Sequence, residues 1–256
     1  MASSFESYAV PDIPMMKSGD DLASPIVKGI ASLGRNLATG DVVVIAQKVI
    51  SKIEGRTIDL NQVTPSSRAQ EVADQCGKDP REVELILSET REVLRAVPDI
   101  LIVVHNTGVI LANAGLDKSN VGSENGEENV LLLPVDPDQS CKAIQTELKE
   151  LTGAEVAVII SDSLGRPWRM GTTGVAIGVA GLPALLDLRG DEDIYGRELK
   201  VSQQAIGDEL ASAASLLHGQ GADKQPVVVI RGDFDWNQPE SGAEALVRPK
   251  EMDLFR

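Results

Sequence analysis

Two acids, two lysines and a glycine-rich turn carry the chemistry that the residue types in this chain permit. Asp162 follows the apolar run Val156-Ala157-Val158-Ile159-Ile160 and opens the polar, arginine-rich segment Ser161 to Arg169. An acid just past the carboxyl end of a buried strand is a common way to expose a working carboxylate. Ser163, the next residue, adds a hydroxyl. Asp117 stands in Gly115-Leu116-Asp117-Lys118-Ser119-Asn120, where the spacing alone favours a turn carboxylate bonded to its own backbone. Two carboxylates with a hydroxyl or amide make an oxygen-rich set that suits magnesium or manganese on phosphates, not zinc. Lys48 and Lys52, four apart near a strand end, are either solvated charges or point cations for phosphate. In His218-Gly219-Gln220-Gly221 a glycine stop after a helix is favoured, with a backbone-amide nest for phosphate as the alternative. His105, inside a strand, reads as a packed or an edge histidine. Arg166 and Arg169 flank Trp168 as surface charges or as contacts for an anionic substrate. The chain contains no GxxxxGK[ST], HExxH or GxSxG pattern and no kinase signature.

Alternating helix and strand signals must position these residues. Asp20 and Asp21 can cap a helix carrying Leu22, Ile26, Ile30, Leu33 and Leu37 until Gly40, and the continuous run 41–50 reads as a buried strand. Thr64-Pro65 and Asp79-Pro80 start helices over about 65–76 and 80–96. Ile100 to His105 and Val109 to Asn113 flank Asn106-Thr107-Gly108 as a hairpin, and Leu131 to Pro134 is a short strand. Helices follow from Asp138, with Ile144, Leu148 and Leu151 on one side, and from Ser202 to Leu217; Val227 to Arg231 is a last buried strand. Gly171, Gly174, Gly178 and Gly181 lie among small residues without the strand–GxGxxG–helix setting of a dinucleotide fold, so they predict closely approaching backbones. The tail after Gly232 reads as peripheral.

The bulk properties narrow the function classes. The 256 residues suffice for a sizeable core, and 42% hydrophobic with 25% charged residues is the balance of a globular protein. A net charge of −15 repels nucleic acid, and an aromatic content of 3% leaves few rings to stack on bases. An anionic substrate therefore requires local cations or bound metal. No apolar stretch is long enough to cross a membrane and the N-terminus lacks signal-peptide regions, which predicts a cytoplasmic protein. Cys76 and Cys141 have no metal-ligand spacing and are expected to be reduced packing residues.

Five ordered segments, Ile13–Leu22, Val49–Arg56, Asn113–Val121, Ile159–Arg166 and Asp193–Leu199, closely resemble the coenzyme F420-0:L-glutamate ligase family, and the likeness runs from about Ile13 to Gly232. The resemblance implies an α+β fold of mixed, largely antiparallel sheets with flanking helices. One domain over 1–256 is expected, with two intimately packed subdomains as a variant, and the chains would pair as an intertwined homodimer. It implies GTP contacts at Ile13, Pro14, Met15, Met16, Gln47, Lys48, Lys52, Asn120 and the segment His218, Gly219, Gln220, Gly221, Ala222, Asp223, Lys224 and Gln225. Asp117, Asp162, Ser163 and Gln220 would hold Mg2+ or Mn2+, with K+ as a further cation, and the two acids would be the catalytic pair. F420-0 and L-glutamate would be the substrates. Two departures stand out: Gln47 replaces a hydroxyl of archaeal members, and Gln220 is neutral where some members carry glutamate. The chain also lacks the flavin-binding domain fused to the actinobacterial form, so a stand-alone ligase is expected. The alternatives are a ligase of the same fold adding glutamate to another carboxylate, and a noncatalytic nucleotide-binding protein.

Overall fold

The computed structural model describes residues 3–119, 121–122, 126–234 and 236–254. In chain order the elements are β1 (Phe5–Ala9), α1 (Ala23–Ser32), β2 (Val42–Ala46), α2 (Gln47–Ile53), β3 (Thr57–Asp59), α3 (Ser67–Cys76), α4 (Pro80–Ser88) and β4 (Thr90–Val97). Next come β5 (Ile100–His105), β6 (Ile110–Ala112), β7 (Asn129–Leu131), α5 (Pro137–Thr152), β8 (Ala157–Arg166) and β9 (Arg169–Ala180). The chain closes with β10 (Leu186–Asp187), β11 (Gln203–Gln204), α6 (Ile206–His218) and β12 (Val227–Gly232). The result is an α+β protein with mixed and antiparallel sheets, in two compact units.

The first unit, residues 1–15, 21–46 and 136–248, is built on a sheet of order β1-β12-β2-β8-β9. Only the β2–β8 pair is parallel. The sequence dictates the central place of β2: Val42, Val43, Val44 and Ile45 are fully buried, the continuous apolar run of a strand covered on both faces. Helix α6 lays Ile206, Leu210, Ala211 and Ala214 on the face carrying Val42, Val44, Ile159 and Ile230. Ile160 pairs with Gly178 but Ser161 pairs with Ala176, leaving Ile177 as an extra residue on β9. This bulge lets Ala176 and Val179 both join the α6 side, and it turns Gly178 onto the start of α5. A Cβ at Gly178 would lie 2.5 Å from the Pro137 carbonyl oxygen, and one at Gly174 would lie 2.3 Å from that of Ala211. Both glycines therefore mark the close backbone approaches expected from the sequence.

The second unit, residues 16–20, 47–135 and 249–256, packs α3 and α4 on the antiparallel sheet β4-β5-β6 around Val72, Ile86, Leu101 and Val103. Asp79 caps α4 by accepting from the Arg81 amide, with Pro80 at the first helical position as predicted. Strands β3 and β7 form a separate antiparallel pair.

Several boundaries differ from expectation, each for a local reason. Helix α1 stops at Ser32, and its N-cap is Leu22; Asp21 instead accepts from the Ser24 amide. The α3 cap is Ser66, not Thr64. The run 41–50 is not one strand: β2 ends at Ala46 and α2 begins at once, because Val49, Ile50 and Ile53 also fit a helical period. Helix α4 ends at Ser88, and 90–97 forms β4, where its residues pair with β5. Helix α5 begins at Pro137 behind an Asp136 cap, and α6 begins at Ile206. The segment 161–169 is not a loop: β8 continues to Arg166 and turns through Trp168, which takes φ 57°, into β9. The tail is not peripheral, since Phe234, Trp236 and Leu246 pack against the first unit's core and Ala243 is buried in it. Cys76 and Cys141 are buried free thiols, as expected. No helix among the described residues is long and apolar enough to cross a membrane.

Candidate active site

In the second unit the Asp117 carboxylate is fixed by its backbone before any ligand is considered. Its amide and carbonyl pair with Leu131 in an antiparallel bridge, N–H to O 3.0 Å and O to N–H 2.8 Å. Its Oδ1 accepts from the Ser119 amide at 2.6 Å, the turn bond that spacing favoured. Its Oδ2 lies 2.7 Å from Lys48 Nζ. The same ammonium donates to Ser119 Oγ at 2.6 Å and reaches the Ser119 carbonyl at 3.4 Å. Burial raises the Asp117 pKa, but the Lys48 ammonium and the Ser119 donors outweigh it and hold the carboxyl below its ordinary value. Lys52 lies one turn along α2, where burial first and Lys48 second lower its pKa.

Lys48 and Lys52 thus stand on a helix rather than around a strand end, and the helical spacing of four puts them on one face. Gln47 is buried, with its Oε1 accepting from the Ser51 hydroxyl at 2.8 Å, so its side chain is engaged inside α2. Met16 is buried in this unit, and Asn120 lies outside the described residues.

Positioning in this unit comes from a network that sequence reading missed. Arg56, three residues past α2, directs Nε to the Leu133 carbonyl at 2.9 Å and Nη2 to Glu89 Oε1 at 2.7 Å. Glu89 Oε2 is 3.4 Å from Nε2 of the buried His105, whose Nδ1 accepts from the Thr107 amide at 3.1 Å, which leaves Nε2 as the ring atom facing the carboxylate. Of the packed and edge readings His105 takes the packed one, buried on the central strand β5, and it also helps to brace the end of α2 against the segment after β7. Ser119 was missed as well, although it sits inside the quoted segment 113–121.

In the first unit Asp162 Oδ1 accepts from the Ser163 amide at 2.8 Å, and Gln220 Nε2 donates to Ser163 Oγ at 2.9 Å. Asp162, Ser163 and Gln220 are therefore neighbours, with Gln220 Oε1 the atom available for a hard cation. The β9 bulge lies just before Asp162 on the opposite strand, a position that re-aims side chains at a sheet's working end. His218 closes α6 with its Nε2 3.4 Å from the Val44 carbonyl oxygen, and burial pushes its pKa below the ordinary histidine value. Gly219 then takes φ 70° and ends the helix. The exposed turn from Gln220 through Gly221, Ala222, Asp223, Lys224 and Gln225 is partly closed on itself, since the Gly221 amide donates to Asp223 Oδ2 at 3.2 Å. Ile13, Pro14 and Met15 form an irregular segment after β1, with Pro14 and Met15 exposed.

Among the described residues no three His, Cys, Asp or Glu side chains cluster as metal ligands. The donors that do gather are oxygens: the Asp117 carboxylate with the Ser119 hydroxyl and carbonyl in one unit, and Asp162, Ser163 and Gln220 in the other. That donor chemistry fits magnesium or manganese.

The family model described as F420-0:Gamma-glutamyl ligase matches residues 12–232. The chain belongs to the F420-0:gamma-glutamyl ligase family. It is 44% identical over 249 residues to a protein of Methanothermobacter thermautotrophicus named "Coenzyme F420:L-glutamate ligase", covering 96% of this chain and 97% of that one. A protein of the same name from Methanopyrus kandleri is 43% identical over 250 residues, covering 96% of each. A third, from Methanocaldococcus jannaschii, is 41% identical over 247 residues, covering 96% of this chain and 94% of its own. Asp117 with Lys48, and Asp162 with Ser163 and Gln220, all lie inside the span matched to the F420-0:gamma-glutamyl ligase family.

Proposed function

We propose that this chain is a coenzyme F420-0:L-glutamate ligase that uses GTP and a divalent metal and works as a homodimer. The observation that supports it most is the 44% identity, over nearly the full length of both chains, to a protein whose name states glutamate ligation to this coenzyme. The oxygen donors around Asp117 and Asp162 give that reading a chemistry.

A carboxylate is a poor acyl donor at neutral pH. Attack of an acceptor carboxylate oxygen on the γ-phosphorus of GTP, with GDP leaving, converts it to an acyl phosphate. The glutamate amine then adds to the acyl carbon, phosphate leaves, and an amide remains, as F420-1 or, on repetition, a longer γ-linked chain. Divalent metal, when bound, offsets the negative charge on phosphate oxygens during transfer. Asp117, Asp162, Ser163 and Gln220 would hold it. Lys48 and Lys52 supply the local cations that a molecule of net charge −15 needs to receive a triphosphate. Ile13 to Met16, Gln47, Asn120 and His218 to Gln225 would line the nucleotide.

The homodimer is supported by large apolar side chains left in solvent in the first unit: Trp168 and Met170 at the β8–β9 turn, and Ile194, Tyr195 and Val201 between β10 and β11.

The acyl-phosphate step has a direct test. With oxygen-18 in the F420-0 carboxylate, the label appears in the released phosphate if the carboxylate attacks phosphorus. The expelled carboxylate oxygen found in GMP or in water, with none in phosphate, rules the step out.

A further inference from the structure

The ammonium of Lys48 occupies the oxygens that a hard cation would seek. Asp117 Oδ2 and Ser119 Oγ lie 2.7 and 2.6 Å from Nζ, with the Ser119 carbonyl oxygen at 3.4 Å. The other carboxylate oxygen is held by the Ser119 amide. A cation arriving at Asp117 therefore meets a backbone donor fixed by its turn on one oxygen and, on the other, the positive tip of a flexible four-carbon arm 2.7 Å away. The arm is the one that can move.

We propose, resting on the assignment of Asp117 as a metal ligand, that Lys48 is an internal counter-ion that competes with divalent metal for the Asp117–Ser119 oxygens until an incoming polyanion draws its ammonium away. Lys52, on the same face of α2, adds a second positive charge beside Lys48, so an anion is drawn to the pair. A triphosphate provides that anion to both lysines. Metal alone then meets an occupied carboxylate, whereas metal arriving with a triphosphate meets a vacated one. Coupling of this kind is reciprocal: whatever the anion does for metal affinity, metal does for anion affinity.

Titration of Mn2+ alone, without nucleotide, into the full chain tests this through the signal of free manganese. Asp117→Asn marks the binding event that depends on this carboxylate. Lys48→Met keeps the apolar stem and removes the competing charge, and it should tighten that event by about five- to tenfold, the worth of one partly exposed ion pair and its hydrogen bonds. Lys52→Met removes an equal charge from the same helix face and should tighten it much less. Unchanged or weaker Mn2+ binding in Lys48→Met overturns the proposal while leaving Asp117 a ligand, as does equal tightening in Lys52→Met, which would mean a general field effect. If Asp117→Asn leaves all Mn2+ binding intact, the assignment of Asp117 falls, and the competition falls with it.

Discussion

At the residue scale the two acids differ in how they are held. Asp117 is braced by a backbone bridge, an amide and an ammonium; Asp162 curls onto the next amide in its own strand. Asp117→Asn and Asp162→Asn should therefore each retain the fold, by circular dichroism, and lose turnover by a factor on the order of a thousand, as expected when charge stabilisation in transfer is removed. Turnover near the unmutated level in either variant would remove that acid from the metal set. Gln220 contributes no charge, so Gln220→Glu should tighten Mn2+ binding by roughly several-fold, because cation affinity in oxygen sites follows ligand charge. Glu89 makes a different prediction. The His105 contact, and Arg56 behind it, hold its pKa below the ordinary glutamate value against the opposing effect of burial. A depressed carboxylate contributes stability that is present above its unfolded pKa and lost as pH falls through the folded one. Glu89→Gln should cost about 1–3 kcal/mol at pH 7 in urea unfolding, with the gap to the unmutated protein closing toward pH 4 and below. A gap independent of pH would mean that packing, not charge, is what the residue contributes.

At the element scale, legibility followed the strength of the local signal. Strand β2 over 42–46, the 100–105 strand and the Asp79-Pro80 helix start were readable because burial, alternation and capping each point one way there. Residues 47–50 were misread because β-branched side chains following a continuous apolar run fit either period, and the strand-to-helix change carries no glycine or proline to mark it. The polar stretch 161–166 was misread for the opposite reason: its pairing with β9 is tertiary information. Asp162 and Asp117 were singled out in sequence as candidates, whereas Ser119 as the partner of Lys48, and Arg56 with Glu89, needed contacts between residues far apart in the chain. Of the β9 glycines expected to mark close approaches, Gly174 and Gly178 do and make a stability prediction, whereas a Cβ at Gly171 would meet nothing within 4 Å and its φ of 79° is what requires glycine. Gly174→Ala and Gly178→Ala press a methyl into a backbone carbonyl and should each cost roughly 1–3 kcal/mol in thermal or urea unfolding. An Ala variant as stable as the unmutated protein would mean that β9 can move off α6 or α5 without penalty.

At the scale of the whole molecule, a net charge of −15 opposes any anionic substrate, and the proposed function gives Lys48 and Lys52 the task of offsetting it. Exposed Trp168 and Met170 sit on a β-hairpin turn, an unusual place to leave two large apolar side chains in water. Sedimentation should give twice the 27.2 kDa chain mass, and Met170→Asp should shift it toward the monomer. A monomeric unmutated protein would contradict the dimer. The most direct test of the function is the mass of the product. Purified protein incubated with GTP, Mn2+, L-glutamate and F420-0 should yield the acceptor heavier by one glutamyl residue, with GDP and phosphate formed in step. An acceptor of unchanged mass, beside a glutamyl adduct on some other carboxylate or none at all, would contradict it.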